Sequence, residues 1–289
     1  MAELAYLITA HRAPEQLALL LDAVYSPRNV YLVHVDACGD RWCYERAAGF
    51  AARHDNVRLM ARTAMVWGGY SQVQVFLDGL AWLLAWDQQW RHFINLSGQC
   101  LPLRSQAEIT SCLAMHPERN HVLIAEASFE QEPFLQERVA HFHVEDHRSH
   151  AVVIVPEAQP GPTAPDGWRL RYGSNWCILS RRFCQYLCLA PELLPLKMFL
   201  RHTLCPDETF APTALAGSPF AETWCPDYKR ELYFPPGSAS PAVFTMADLP
   251  RLRQSSAFFA RKFDTEVDRE IVRETAKTGS WQRMSEIVR

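Results

Sequence analysis

The sequence has no cysteine pair in CxxC spacing and no apolar run long enough to cross a membrane. Its nine cysteines are an odd number, so neither a complete disulfide framework nor a thiolate zinc site is indicated. The short apolar run at residues 4–9 is flanked by Glu3, which suits a buried first strand better than a signal peptide or a membrane anchor. These absences predict a cytoplasmic protein with reduced, mostly packed cysteines.

An excess of positive charge is also missing. The net charge of -3 gives no general nucleic-acid signal, so any anion site must be local. The hydrophobic fraction of 48% and the charged fraction of 21% are those of a soluble globular protein, and no internal repeat or low-complexity tract interrupts them. A length of 289 residues favours one α/β domain with an embellished C-terminal part.

Strand and helix patterns alternate along the first 125 residues. Strand patterns at 4–9, 29–36, 57–60, 91–98 and 121–125 are separated by helical patterns at 14–25, 41–54 and 71–86. Ser105 and Glu108 have the spacing of a capping box that opens a further helix. This alternation predicts an α/β fold with a mostly parallel sheet and helices on both faces.

Several of the predicted strands run into residues that could contact a ligand. In parallel sheets ligands bind beyond the carboxyl ends of the strands. The residues expected at those ends are Thr9, Ala10, His11, Asp36, Ser97 and Gly98. We therefore expect a ligand site there.

Periodicity fades between residues 126 and 171, where Pro156, Pro160, Pro162 and Pro165 occur. Such a segment predicts a long loop or lid. Regular patterns return as a strand at 172–180 and a helix at 181–189. The predicted organisation is one domain, 1–289, with a first half at 1–125 and a second half at 172–289 on either side of this segment.

Two adjacent carboxylates, Asp207 and Glu208, follow Pro206 at a predicted helix start. One interpretation is structural, because Asp accepts free amides there and Glu favours the positive end of the helix dipole. The other is catalytic, with Glu208 as the reactive group.

Seven short motifs, in this order, resemble the core-2/I-branching glycosyltransferase family, which includes β1,6-N-acetylglucosaminyltransferases and peptide O-xylosyltransferases. They are YLITAHR (6–12), VHVD (33–36), VWGGYS (66–71), NLSGQ (95–99), YGSNW (172–176), PDE (206–208) and FARKFD (259–264). The resemblance implies a GT-A type fold and inverting transfer of a sugar from a UDP-sugar to a hydroxyl. It also implies that Glu208 is the base that takes the acceptor proton. The half at 1–125 would then bind the nucleotide sugar, and the half at 172–289 would be the acceptor and catalytic half.

No Asp-x-Asp motif follows a predicted strand, although many GT-A enzymes bind a divalent cation with one. The resemblance implies the metal-free alternative, in which Arg261 and Lys262 neutralise the leaving diphosphate. Phe258, Phe259 and Phe263 surround this pair, which favours a buried anchor over a solvated basic pair. We expect no cofactor and no metal.

Further roles follow from the resemblance. Thr9, Ala10, His11 and Asp36 would contact the donor nucleoside, although Asp36 is equally interpreted as a turn residue. The predicted sugar and acceptor pocket contains Trp67, Gly68, Asn175, Trp176 and Asp207. Buried Trp is more often core than ligand site, so both roles stay open for Trp67 and Trp176.

The sequence departs from the family in two ways. Xylosyltransferase relatives tend to carry Asp where this chain has Asn175, and eukaryotic relatives carry an anchor, a stem and paired cysteines. The chain therefore resembles a compact bacterial member acting in the cytoplasm on a lipid-linked or surface glycan precursor. We expect no nucleic-acid partner and no transmembrane segment, and leave peripheral membrane association open. N-acetylglucosamine and xylose are the expected sugars; the acceptor, linkage and oligomeric state are open.

Two other classes remain as alternatives. A zinc hydrolase could use His141, His143, Asp146, His147 and His150, because imidazoles with a carboxylate bind zinc well. A non-catalytic glycan-binding relative would keep the fold without turnover.

Overall fold

The computed structural model describes residues 3–87, 89–155, 161–238 and 240–277. Within these ranges the chain forms two compact units, each assembled from separate stretches of sequence. Unit 1 contains residues 3–61, 89–117 and 229–277, and unit 2 contains residues 62–87, 118–155 and 161–228. The sequence predicted a single domain with halves at 1–125 and 172–289. Each of the two units instead combines residues from both of these halves.

The strands in chain order are β1 Leu4–Ala10, β2 Val30–Val35, β3 Val57–Leu59, β4 His92–Ser97, β5 Cys100–Pro102, β6 Asn120–Ile124, β7 His143–Asp146, β8 Ala151–Ile154, β9 Gly173–Ser180, β10 Trp224–Cys225, β11 Arg230–Glu231 and β12 Phe259–Arg261. The helices are α1 Pro14–Val24, α2 Arg41–Ala51, α3 Ser71–Trp86, α4 Gln106–Ala114, α5 Pro133–Ala140, α6 Arg181–Leu189, α7 Leu194–Leu200, α8 Asp207–Ala216, α9 Leu249–Gln254 and α10 Arg269–Ala276.

Unit 1 is built on a parallel sheet in the order β4-β1-β2-β3. All six residues of β2 are buried, which requires cover on both faces of the sheet. On α1 the apolar side chains Leu17, Leu20, Leu21 and Val24 are buried at the predicted helical spacing. The predicted α/β class with a mostly parallel sheet is confirmed.

A smaller sheet in unit 1 positions the C-terminal basic pair. Its order is β11-β12-β5, and β12 runs antiparallel to β5 with Arg261 opposite Cys100. Because β5 follows β4 after a two-residue turn, this pairing carries Arg261 to the carboxyl end of β4.

Unit 2 contains β6 paired antiparallel with β9 and parallel with β10. Helix α3 has the bounds that its apolar pattern predicts, and α8 begins at Asp207, the predicted helix start. Among the described residues no single helix is long and apolar enough to span a membrane. Helix α6 and the Pro191–Leu200 stretch reach the required length and hydropathy only together, across a 65° bend.

The segment 126–171 contains helix α5 and a hairpin of β7 and β8, whereas the fading periodicity predicted a long loop or lid. Helix α5 buries only Leu135 and β8 has no fully buried residue, so neither element has the apolar spacing that marks a core element. Residues 156–160, which include Pro156 and Pro160, lie outside the described residues.

Cysteine packing agrees with the sequence. All nine cysteines lie in the described ranges, none forms a disulfide, and five of them are buried: Cys43, Cys100, Cys177, Cys184 and Cys205.

Candidate active site

The carboxyl ends of β1, β2 and β4 meet in unit 1. Thr9 is in register with Ser97, and Ala10 is in register with Val35. The amide of Gly98 donates to the Thr9 carbonyl at 2.8 Å, and the amide of Asp36 donates to the Ala10 carbonyl at 2.9 Å. These bonds bring the predicted strand-end residues together, where parallel sheets bind ligands.

Asp36 forms the turn that follows β2. Its Oδ1 accepts a hydrogen bond from the Cys38 amide at 2.9 Å, and the Gly39 amide donates to the Asp36 carbonyl at 3.0 Å. The next amide, of Asp40, donates to the His11 carbonyl at 2.7 Å, so the loops after β1 and β2 are joined. The turn role of Asp36 is therefore present in the structure, and a nucleoside contact would be additional to it.

Three cations lie close together in unit 1. Arg261 Nη1 donates to Ser97 Oγ at 2.6 Å, and Arg12 Nη2 pairs with Asp264 Oδ2 at 2.6 Å. The ammonium of Lys262 makes no hydrogen bond or ion pair with the described residues. The flanking rings of Phe258, Phe259 and Phe263 are buried, as expected for an anchored basic pair.

The electrostatics of this cation cluster favour an anionic ligand. Burial lowers the pKa of Lys262, and Arg261 and Arg12 lower it further, against a raising effect of Asp264. The pKa of His11 is lowered by burial and then by Arg12, with further lowering by Arg261 and Lys262 and an opposing effect of Asp36. A bound anion would relieve this repulsion, because it stabilises the charged form of each cation.

Gln16 is a buried residue that sequence reasoning missed. Its Nε2 donates to the carbonyls of Gly98 at 2.9 Å and Phe263 at 3.0 Å, and its Oε1 accepts from the Thr265 amide at 3.0 Å. It thereby ties the chain that follows Lys262 to the loop after β4. Its signal in the sequence is a polar residue beside the buried stripe of α1.

In unit 2, Glu208 lies in the first turn of α8 and pairs with Arg138 of α5, with 2.7 Å between Nη1 and Oε2. The Arg138 guanidinium lies over the rings of Tyr172, at 5.1 Å, and Phe134, at 5.7 Å. Stacking on two rings restricts the guanidinium and so orients the carboxylate. Glu208 Oε1 makes no hydrogen bond with the described residues, so it can accept a proton.

The Asp207 carboxylate accepts hydrogen bonds from amide side chains of two other elements. Its Oδ2 accepts from Gln72 Nε2 at 2.8 Å and from Asn175 Nδ2 at 3.0 Å. Gln72 Oε1 in turn accepts from the Gly68 amide at 3.3 Å. The residue before α8 is Pro206, which makes no side-chain cap, and the capping interpretation of Asp207 stays a prediction. Through these hydrogen bonds the Asp207 carboxylate joins two predicted pocket residues, Gly68 and Asn175.

The loop that carries Trp67 packs on the turn before Glu208. Gly68 has φ +77°, and a Cβ there would lie 3.2 Å from Leu204 Cδ1. Its carbonyl accepts from the Cys205 amide at 2.7 Å. The Trp67 side chain is 74% exposed, which excludes the core interpretation and leaves its ring available for stacking on a sugar. Trp176, on β9, is half-buried.

The pKa of Glu208 is raised by burial and by Asp207, and Arg138 opposes this shift. The base that the sequence predicts at Glu208 would have to be ionised, so we expect the acid limb of activity at higher pH than for an ordinary glutamate. Replacement of Arg138 removes the lowering effect and raises the Glu208 pKa further.

The pH profile of an Arg138→Gln variant tests this arrangement. We expect its acid limb to move to higher pH, with activity lost at weakly acidic pH and partly recovered at alkaline pH. Arg138→Lys, which keeps the charge, should keep most of the wild-type profile. An equal loss at every pH would mean that Arg138 only supports the fold.

The histidine-rich segment does not form a zinc site. His143 Nδ1 lies 2.9 Å from the His141 carbonyl, and Asp146 accepts hydrogen bonds from Arg148 and Ser149 in the β7-β8 turn. Within the described ranges no group of three or more His, Cys, Asp or Glu side chains could hold a metal ion. The zinc hydrolase alternative built on residues 141–150 is therefore not supported.

The motifs and the α/β scaffold agree with a family-level comparison. The model of the Core-2/I-Branching enzyme family matches residues 4–227, and the chain belongs to this family. The family predicted from the motifs is thereby confirmed.

Curated relatives carry xylosyltransferase names. The chain is 29% identical to xylosyltransferase 2 of Rattus norvegicus over 94% of its length and 33% of that protein. It is 28% identical to xylosyltransferase 1 of the same species over 93% of its length and 34% of that protein. Identity to xylosyltransferase 2 of Bos taurus is 30%, over 93% of the chain and 32% of that protein. The chain thus spans about a third of these relatives.

Similar solved structures are glycosyltransferases. The galactosyltransferase LgtC, in complex with donor and acceptor sugar analogues, has a TM-score of 0.46 and 10% identity, covering 95% of both chains. Mouse xyloside xylosyltransferase 1, in its apo form, has a TM-score of 0.37 and 13% identity, covering 74% of this chain and 81% of that one.

Proposed function

We propose that the chain transfers a sugar from a UDP-sugar to a hydroxyl in a single, inverting displacement. Glu208 takes the hydroxyl proton, the hydroxyl oxygen bonds to the anomeric carbon, and UDP leaves with the electron pair of the broken bond. The observation that carries this proposal is the orientation of Glu208 by Arg138 at 2.7 Å, with Oε1 unengaged by the described residues.

A single displacement needs no protein nucleophile, and the thiol beside Glu208 is unsuited to be one. Burial, with Asp207, raises the pKa of Cys205 to about 12. The thiolate is therefore scarce at neutral pH. This supports direct attack by the acceptor over a covalent intermediate on Cys205.

Arg261 and Lys262 would bind the diphosphate of the donor and need no divalent cation for it. Fixed cations stabilise the negative charge that develops on the leaving group more than they stabilise the ground state. Burial lowers the Lys262 pKa and the neighbouring Arg261 and Arg12 lower it further, which supports this role because a bound diphosphate would compensate these charges. Thr9, Ala10, His11 and Asp36 would contact the nucleoside, since they lie at the strand ends of the same unit.

Trp67, Gly68, Asn175, Trp176 and Asp207 would form the sugar and acceptor pocket. The exposure of Trp67 and the amide bonds on Asp207 support this assignment. Asn175 donates to Asp207, whereas an aspartate at 175 would place two carboxylates together. Xylose is favoured by the names of the relatives, and N-acetylglucosamine by the resemblance of the motifs to β1,6-N-acetylglucosaminyltransferases. The acceptor would be a lipid-linked or surface glycan precursor in the cytoplasm.

Thermal unfolding with UDP, UDP-N-acetylglucosamine, UDP-xylose, UDP-glucose and UDP-galactose, each with and without EDTA, tests the donor class. A ligand at a hundred times its Kd stabilises the native state by about 2.7 kcal/mol, so we expect Tm to rise by about 5 °C. The rise should persist in EDTA, and ADP serves as control.

Stabilisation that requires manganese would contradict the metal-free mechanism. A chain that no UDP species stabilises would contradict the donor class. Stabilisation without turnover, across a panel of acceptors, would identify the non-catalytic glycan-binding alternative.

A further inference from the structure

A cavity of about 560 Å³ lies in unit 2 beside α3, α6 and α7. Its lining includes Tyr70, Gln74, Leu77, Leu194, Lys197 and Arg201, and neither Trp67 nor the two carboxylates of α8 contribute to it. The proposed transferase chemistry therefore makes no use of this cavity.

Two cations line one part of this cavity. The Lys197 ammonium makes no hydrogen bond or ion pair with the described residues, and burial lowers its pKa. The Arg201 guanidinium lies over the Tyr70 ring at 5.1 Å. An exposed carboxylate, Asp78, also lines the cavity, but its Oδ1 already accepts from Gln74 Nε2 at 2.8 Å. With two cations, Lys197 and Arg201, against one carboxylate, the lining carries a net positive charge.

Another part of the cavity lining is apolar and consists of side chains from α3 and α7. Leu194 is 57% exposed and Met198 is 59% exposed, although both line the cavity. Leu77 and Ala81 continue this apolar lining along α3. Exposed large apolar side chains next to unpaired cations suit a ligand with one charged end and one aliphatic end.

We infer that this cavity binds an anionic amphiphile, with a phosphate head group at Lys197 and Arg201 and an aliphatic chain along Leu77, Leu194 and Met198. Phosphate oxygens can accept from an ammonium and a guanidinium together. The aliphatic chain would cover apolar surface that is otherwise hydrated. This inference stands independently of the proposed sugar transfer.

Calorimetric titration with dodecyl phosphate, below its micelle concentration, tests the site on the full chain. Lys197→Gln should weaken binding about tenfold, the effect of one charge-assisted hydrogen bond. Met198→Asp should also weaken it, by opposing the aliphatic chain. Arg182→Gln, which removes an exposed cation of α6 outside the lining, should bind as the wild type does. Unfolding temperatures of all variants check the fold.

Inorganic phosphate tests the charged head group without the aliphatic chain, and dodecyl maltoside tests the aliphatic chain without the charge. Each should bind far more weakly than dodecyl phosphate. Binding of either probe as tightly as dodecyl phosphate would overturn the inference, as would wild-type affinity in both cavity variants or no binding to the wild type. Co-sedimentation with phosphatidylcholine vesicles, with and without phosphatidylglycerol, identifies the source. If the protein sediments only with vesicles that contain phosphatidylglycerol, the ligand is a bilayer lipid. If it sediments with neither kind of vesicle but still binds dodecyl phosphate, the ligand is a free amphiphile.

Discussion

Glu208→Gln is expected to reduce sugar transfer by about 10²–10⁴-fold, the contribution of a general base, while donor affinity is unchanged. Glutamine keeps the size of the side chain and an oxygen that can accept from Arg138, so the turn and α8 should keep their geometry. It cannot take a proton from the acceptor. The measurement is UDP release with the best donor, together with a calorimetric titration of UDP.

Glu222→Gln is the matched control, because Glu222 is an exposed glutamate in a short helical turn of the same unit. It should be as active as the wild type. Transfer retained in Glu208→Gln would remove Glu208 from the role of base. Loss of UDP binding together with transfer would point to a folding defect or to a donor contact.

Lys262→Ala is expected to weaken UDP binding about 10- to 100-fold, the value of one or two charge-assisted hydrogen bonds. Turnover should fall too, since the cation stabilises charge that grows on the diphosphate. Lys262 makes no hydrogen bond or ion pair with the described residues, so its removal should not weaken the fold.

Lys277→Ala provides the control for the loss of a lysine. Lys277 is exposed and pairs with Glu274 at 2.7 Å, an ion pair of little energetic value. Its variant should bind UDP as the wild type does. Undiminished UDP affinity in Lys262→Ala would contradict the diphosphate role.

Apolar spacing predicted the helices and strands well where an element buries one face or all of its residues. The apolar spacing of residues 71–86 gave α3 its bounds, and Ser105 with Glu108 forms the predicted capping box. The strand-end cluster was predictable because the carboxyl ends of parallel strands meet at one edge. In each case a few neighbouring residues carry enough information.

The partners of the two carboxylates could not be predicted in this way. Arg138 is 70 residues from Glu208 in sequence, on a helix that buries one residue and so lacks periodicity. Gln72 looks like an ordinary polar residue of α3, yet its amide joins Gly68 to Asp207. The pairing of such residues depends on tertiary packing, which a single sequence does not encode locally.

The role of Glu208 can be tested most directly by comparing hydroxyl and azide as nucleophiles. Azide is already an anion, so it displaces UDP from the anomeric carbon without losing a proton, whereas water or an acceptor hydroxyl needs a base. The measurement is the ratio of glycosyl azide to hydroxyl-derived product, by mass spectrometry in EDTA, for wild type and Glu208→Gln. If Glu208 is the base, the variant keeps azide transfer and loses hydroxyl transfer. Equal loss of both products would contradict Glu208 as the base.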